Sequence, residues 1–288
     1  MTMTTTAGAG TVFANLHARG RDLRLECQWI APERADAPLI VFLHEGLGSV
    51  SMWKDWPTRV CDQANCRGLV YSRYGYGQST ARPLSEAWAP DFMHREAQEV
   101  LPALLEVLGV DARRDKPVLF GHSDGGSIAL LYAAAYPDAV AGVVAAAPHL
   151  FVEDVSVASI AQARTAYLES DLRARLGRHH QDVDSAFWGW NDIWLNPNSA
   201  PGTSKTRWNA SPVRCWRSRV STTNTARWNR CAASAGARRK PNCWRFRTAA
   251  IRRTGISPPP LSRPSHALST RWKNPVDPKP RTGPGVRP

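Results

Sequence analysis

The residues best suited to do chemistry are Gly121-His122-Ser123-Asp124-Gly125, a G-x-S-x-G turn. The apolar run Val118-Leu119-Phe120 precedes it, and Ser127 to Tyr136, rich in Ala, Leu and Ile, follows it. The pattern reads as strand, sharp turn, helix. On such a turn the serine sits in strained backbone and its hydroxyl projects at a helix N-terminus. Free N–H groups there can stabilise a developing anion. The neighbours two residues away, Gly121 and Gly125, must be small so that strand and helix pack closely. The chemistry implied is nucleophilic attack by Ser123. G-x-S-x-G also arises by chance in glycine-rich chains, and the flanking strand and helix are what distinguish this occurrence.

A serine nucleophile at neutral pH needs a base, and the base needs an orienting carboxylate. Downstream of residue 196 the only histidine is His266 and the only acid is Asp277, which follows it. His94 falls on a long helix and His179-His180 in a polar segment, and neither receives a role from the sequence.

The elements that must position Ser123 form an alternating series. Thr11 to Asn15 and Leu23 to Ile30 read as an antiparallel pair, with Glu26 and Gln28 on the exposed face of a half-exposed strand. Pro38 to Leu43, Gly68 to Tyr71, Val118 to Phe120 and Val140 to Ala147 read as buried strands. Helices are expected over Ser51 to Val60, Asp91 to Leu108 and Ser127 to Tyr136. This order implies an α/β fold, a doubly wound, mostly parallel sheet with helices on both faces. Asp154 to Leu176 reads as helical, and Phe187 to Leu195 is an aromatic cluster, together the start of a lid.

Charge divides the chain in two. Residues 1–196 hold 17 Lys/Arg and 23 Asp/Glu, a net of −6. Residues 197–288 hold 20 Lys/Arg and one acid, a net of +19. So many Arg, Pro and Ser with so few aliphatics cannot bury a core, and no strand is read after Leu195. The expected organisation is a core over 1–150, the start of a helical lid over 151–196, and a disordered basic tail over 197–288. No apolar run approaches the roughly 20 residues of a membrane span. Met1 to Thr11 lacks the basic start and apolar stretch of a signal peptide, so a cytoplasmic protein is expected. The six cysteines form no C-x-x-C pair, and Cys27, Cys61 and Cys66 read as reduced thiols.

Residues 11–196 resemble the α/β-hydrolase superfamily, in its esterase, epoxide-hydrolase and meta-cleavage-hydrolase branch. Leu43-His44-Glu45-Gly46 resembles its strand-end His-Gly motif, Arg73-Tyr74-Gly75-Tyr76-Gly77-Gln78-Ser79 its R-G-x-G-x-S loop, and Gly121 to Gly125 its nucleophile elbow. The resemblance implies that Ser123 is the catalytic nucleophile. The backbone N–H groups of Asp124 and Gly46, with Leu47 as the alternative to Gly46, would form the oxyanion hole. His122 would shape the pocket and His44 would orient its loop. Glu45 departs from the family, which usually has glycine there; an acid–base role for Glu45 is the other reading. The family needs no metal or organic cofactor, and its substrate would be a small ester-like molecule.

The family places its acid and then its histidine after the lid, where this chain has the basic tail. An out-of-frame reading of a GC-rich gene accounts for the Arg, Trp, Cys, Pro and Ser enrichment. Trp208-Asn209 and Trp228-Asn229 each force a Glu codon in the shifted frame. Residues 210–228, so shifted, are compatible with an apolar strand followed by G-V-D-D-E-Y-G. Residues 242–258 are compatible with a strand followed by C-G-H-S-P-H. These are the family's acid and histidine loops in order. The reading is therefore a serine hydrolase of an ester or related acyl bond, crippled as written by loss of those partners. The alternative is a non-catalytic binding protein with a nucleic-acid-binding tail, since the basic segment is interleaved with tryptophans. The shifted frame explains the same composition without any nucleic-acid partner.

Overall fold

The computed structural model describes residues 10–149 and 154–196, together with the backbone of 215–220 and 226–230. Strands β1 (Thr11–Ala18) and β2 (Arg21–Ile30) form an antiparallel hairpin in which Thr11 faces Gln28 and Ala18 faces Arg21. Strands β3 (Leu39–Leu43), β4 (Arg67–Tyr71), β5 (Val118–His122) and β6 (Gly142–Ala146) run parallel to one another. Leu39 to Leu43 is buried throughout, as expected of a strand covered on both faces.

Two more strands lie on the outer edge of β6. β7 (Cys215–Val220) pairs parallel with it, and β8 (Ala226–Arg230) pairs antiparallel with β7. The sheet order is β1-β2-β4-β3-β5-β6-β7-β8. Here the structure differs from the sequence reading, which finds no strand beyond Leu195. The physical reason is that a ladder is made by main-chain N–H and C=O groups, which every non-proline residue carries. An open β6 edge can pair with a segment that has no apolar pattern. The remainder of the expected tail lies outside the described residues.

Helices cover both faces. On one, α2 (Phe92–Arg95), α3 (Leu101–Val107) and α5 (Asp124–Ala135) bury Phe92, Leu101, Leu104, Ile128 and Ala129 against Leu25, Val41, Leu69 and Leu119. On the other, α1 (Trp56–Ala64) and the short 3-10 turn Val50–Trp53 set Trp53 and Trp56 edge-on to Phe42, with centroids 5.9 Å away in each case. The helix expected over Asp91 to Leu108 is interrupted by a π-helical stretch, Glu96–Val100, which rotates the following turn. The helix expected from Ser51 is a 3-10 turn followed by α1, because Lys54 takes φ 54° and breaks the run. α4 (Ala112–Asp115) is a single turn capped by the Asp111 side chain.

Glu26 corrects the expected alternation in β2. It is buried rather than exposed, and its carboxylate accepts from Ser72 Oγ at 2.6 Å and from the Gln78 amide at 2.9 Å. These bonds replace the water it gives up. They also fasten the 73–79 loop to the sheet.

The expected lid segment is α6 (Asp154–Glu169), α7 (Leu172–Leu176) and α8 (Val183–Leu195). Tyr167 stacks on Phe187 at 3.7 Å and 10°, and buried Asn191 donates to the Ile160 carbonyl at 3.0 Å. The aromatic cluster read from sequence is the inner face of α8. Asp182 caps that helix by accepting from the Ser185 amide at 2.8 Å.

Candidate active site

β5 delivers the chain to Ser123, and α5 leaves from it. Ser123 has φ 53° and ψ −118°, the strained backbone predicted for a nucleophile elbow. Its amide is fixed by a 2.8 Å bond to the Ala146 carbonyl at the end of β6. The two glycines do what the turn requires. A Cβ at Gly121 would run into the Gly125 carbonyl, and one at Gly125 into the Leu43 carbonyl. Because α5 starts at Asp124, the Asp124 N–H is among those a helix leaves unpaired in its first turn.

The loop after β3 lies alongside. His44 is fully buried; its Nε2 accepts from the Arg73 amide at 3.0 Å, so Nδ1 carries the hydrogen and donates to the Glu45 carbonyl at 2.6 Å. Burial, and then the nearby Arg73 charge, hold His44 well below the usual imidazole range, so it stays neutral. This geometry matches a loop-orienting histidine. Arg73 Nη2 also donates to the Glu45 carbonyl at 2.9 Å and lies 3.7 Å from the buried Asp124 carboxylate. Burial raises Asp124 above the ordinary carboxylate range, and the Arg73 charge opposes that rise.

The Glu45 side chain turns to His122, with Oε2 3.5 Å from Nδ1. Burial pushes Glu45 up, but the His122 hydrogen bond and charge outweigh it, and the net shift is downward. An anchored, ionised Glu45 is a weak base. His122 is half exposed at the rim, next to the serine. α8 packs on the same loop, since a Cβ at Gly46 would strike the Trp190 indole.

His180, between α7 and α8, also bonds to the site loops. Its Nδ1 accepts from the Gly77 amide and its Nε2 donates to the Leu47 carbonyl, each at 3.0 Å. Burial lowers its pKa to about 4. Nothing in its local sequence singles it out.

One site residue was missed altogether. His149 lies on the loop after β6, and its Nε2 is 2.8 Å from Ser123 Oγ. Nothing in local spacing links Pro148-His149 to Ser123. The usable signal was topological. β5 and β6 are parallel neighbours, so the loops at their C-terminal ends meet at one edge of the sheet.

A model of the alpha/beta hydrolase fold family matches residues 38–265. The chain belongs to that family. The match runs past residue 196, where the resemblance read from sequence stopped. A curated relative, mouse (Mus musculus) epoxide hydrolase 4, is 27% identical over 125 residues, which is 43% of this chain. The chain covers only 32% of that relative's length, about a third of it. Among solved structures, one from work on the carboxylesterases of the thaumarchaeon Nitrososphaera gargenis aligns at 16% identity with a TM-score of 0.53. The alignment covers 70% of this chain and 78% of that one. A thermophilic esterase from Thermogutta terrifontis aligns at 19% identity with a TM-score of 0.47, over 67% of this chain and 74% of its own. At its identity the first of these speaks to fold alone. Among the described residues, no helix is long and apolar enough to cross a membrane, and no group of three His, Cys, Asp or Glu is placed to hold a metal ion. Cys27, Cys61 and Cys66 are buried free thiols.

Proposed function

We propose that this member of the alpha/beta hydrolase fold family hydrolyses a small ester or related acyl bond, with Ser123 as the nucleophile. The observation that carries the reading is the Ser123 backbone, strained at φ 53° between two close-packed glycines at the head of α5. The chemistry of the nucleophile selects the substrate. Serine attack on an acyl carbonyl gives an ester that water can cleave. Attack on an epoxide would give an ether that water cannot cleave, so the name of the mouse relative does not transfer. The N–H groups of Asp124 and Gly46, or of Leu47, receive the oxyanion. No cofactor takes part.

Turnover is weak. Residues 197–288 contain only His266 and then Asp277, the reverse of the family's acid-then-histidine order. A shifted reading frame from about residues 195–198 onward accounts for this. The buried thiols fit a reducing, cytoplasmic setting. The test is hydrolysis of p-nitrophenyl acetate by the full chain and by Ser123→Ala. The expected outcome is slow release of p-nitrophenol that falls to the uncatalysed rate in the variant. Equal rates for the two proteins would overturn the reading.

A further inference from the structure

The geometry points to His149 as the general base of this chain, a catalytic residue that pairs with Ser123 in a dyad drawn from the adjoining ends of β5 and β6. The inference rests on Ser123 being the nucleophile. Its ground is the 2.8 Å contact between Ser123 Oγ and His149 Nε2, already within the reach that proton abstraction requires.

The contact is built from both sides. The His149 backbone is tied to α5 by one buried hydroxyl. Ser127 Oγ, one helical turn beyond Ser123, accepts from the His149 amide at 2.9 Å and lies 3.0 Å from the His149 carbonyl, to which it donates. The ring meets Trp194 of α8 edge-on, with centroids 4.6 Å apart at 62°. The nucleophile helix therefore fixes the His149 backbone, and α8 packs on its ring. Its charged surroundings are those of the elbow. The Asp124 carboxylate acts on it electrostatically, and Arg73 and Glu45 act on Asp124 in turn. Among the described residues, no hydrogen bond to His149 Nδ1 completes a triad. This is a dyad, in keeping with weak turnover.

The steps balance. As Ser123 Oγ bonds to the acyl carbon, its proton passes to His149 Nε2. When the adduct collapses, the bond to the alcohol oxygen breaks and Nε2 returns the proton to that oxygen. Water then attacks the acyl-serine. Its proton passes through Nε2 to Ser123 Oγ, and the carboxylic acid leaves. For Nε2 to accept, the resting ring must carry its hydrogen on Nδ1.

The experiment uses the full chain and reads two quantities, p-nitrophenyl acetate turnover and the rate at which a fluorophosphonate labels Ser123. His149→Gln should lower both by about 100-fold, the lower end for general acid–base catalysis. His149→Ala should respond to added imidazole with partial recovery, which Ser123→Ala cannot show. A purely structural role for His149 would give no such rescue. If the His149 variants do not fold, labelling of the unmodified chain against pH decides the matter. A labelling rate that depends on pH supports the dyad, and a flat profile overturns it. Unchanged labelling in His149→Gln, or loss of the pH dependence in His122→Asn or His266→Gln but not in His149→Gln, would also overturn the proposal while Ser123 stands. Absence of any Ser123-dependent labelling in the unmodified chain would instead sink the nucleophile reading on which it rests.

Discussion

Single residues show how burial decides which histidines can act. His180 and His44 are sealed among backbone partners and held neutral, whereas His149 is partly exposed and faces a hydroxyl. His180 carries a test of its own. An unfolded imidazole titrates near 6.5, but burial holds the folded one to about 4. Between those values the unfolded chain binds a proton that the native site refuses. Stability should therefore fall as pH drops from about 6.5 to about 4, by up to about 3 kcal/mol, with no further loss from this group below that. His180→Gln should flatten the slope of Tm against pH across the same window, and an unaltered slope would show that other groups set it. The candidate site was legible at the residue scale where local pattern carries it. Ser123, Gly121 and Gly125 are three residues of one turn, each with a steric or chemical reason. His149 was not legible, because its relation to Ser123 exists only through the pairing of two strands separated by α5.

The elements were legible wherever hydrophobic period and length agree. β3 and β5 follow from short apolar runs, and α5 from its Ala- and Leu-rich face. The π-helical stretch at Glu96–Val100 leaves no mark in periodicity, since a single wide turn shifts the apolar face by less than one residue's spacing. Glu26 was misplaced because alternation reports a strand's faces and not what covers them, and the covering loop 73–79 supplies its donors. At the junction of β5, β3 and α5, Gly125 has no room for a side chain. Gly125→Ala would push a methyl group into the main chain of Leu43 and His44, where no side chain can rotate away. The expected loss is about 3 kcal/mol, at the upper end for overpacking, read as a lower midpoint in urea unfolding. A change under about 0.5 kcal/mol would mean that helix and strand part more easily than this contact implies.

At the scale of the whole molecule the chain divides by charge. The core has a net charge of −6 and the segment +19, and the boundary falls at the end of α8. The register of β7 on β6 is a main-chain pairing, which composition does not report, so the sequence carried no signal of it. If residues 197–288 are read out of frame, the gene should show one inserted or deleted base, or its equivalent, between the codons for Trp194 and Ser199. The corrected chain should carry G-V-D-D-E-Y-G and C-G-H-S-P-H in that order and hydrolyse esters much faster than the chain as written. Stop codons in the shifted frame before the Gly-His motif would end that account, and the basic segment would then need a function of its own.

The central claim is that Ser123 is a working nucleophile, and covalent capture addresses it most directly. The full chain is treated with a fluorophosphonate, digested and mapped by mass spectrometry. The account predicts a single modified serine in the peptide carrying Gly121-His122-Ser123-Asp124-Gly125, slow to form and absent from Ser123→Ala. An unmodified elbow peptide after prolonged exposure, with the protein still folded, would contradict it.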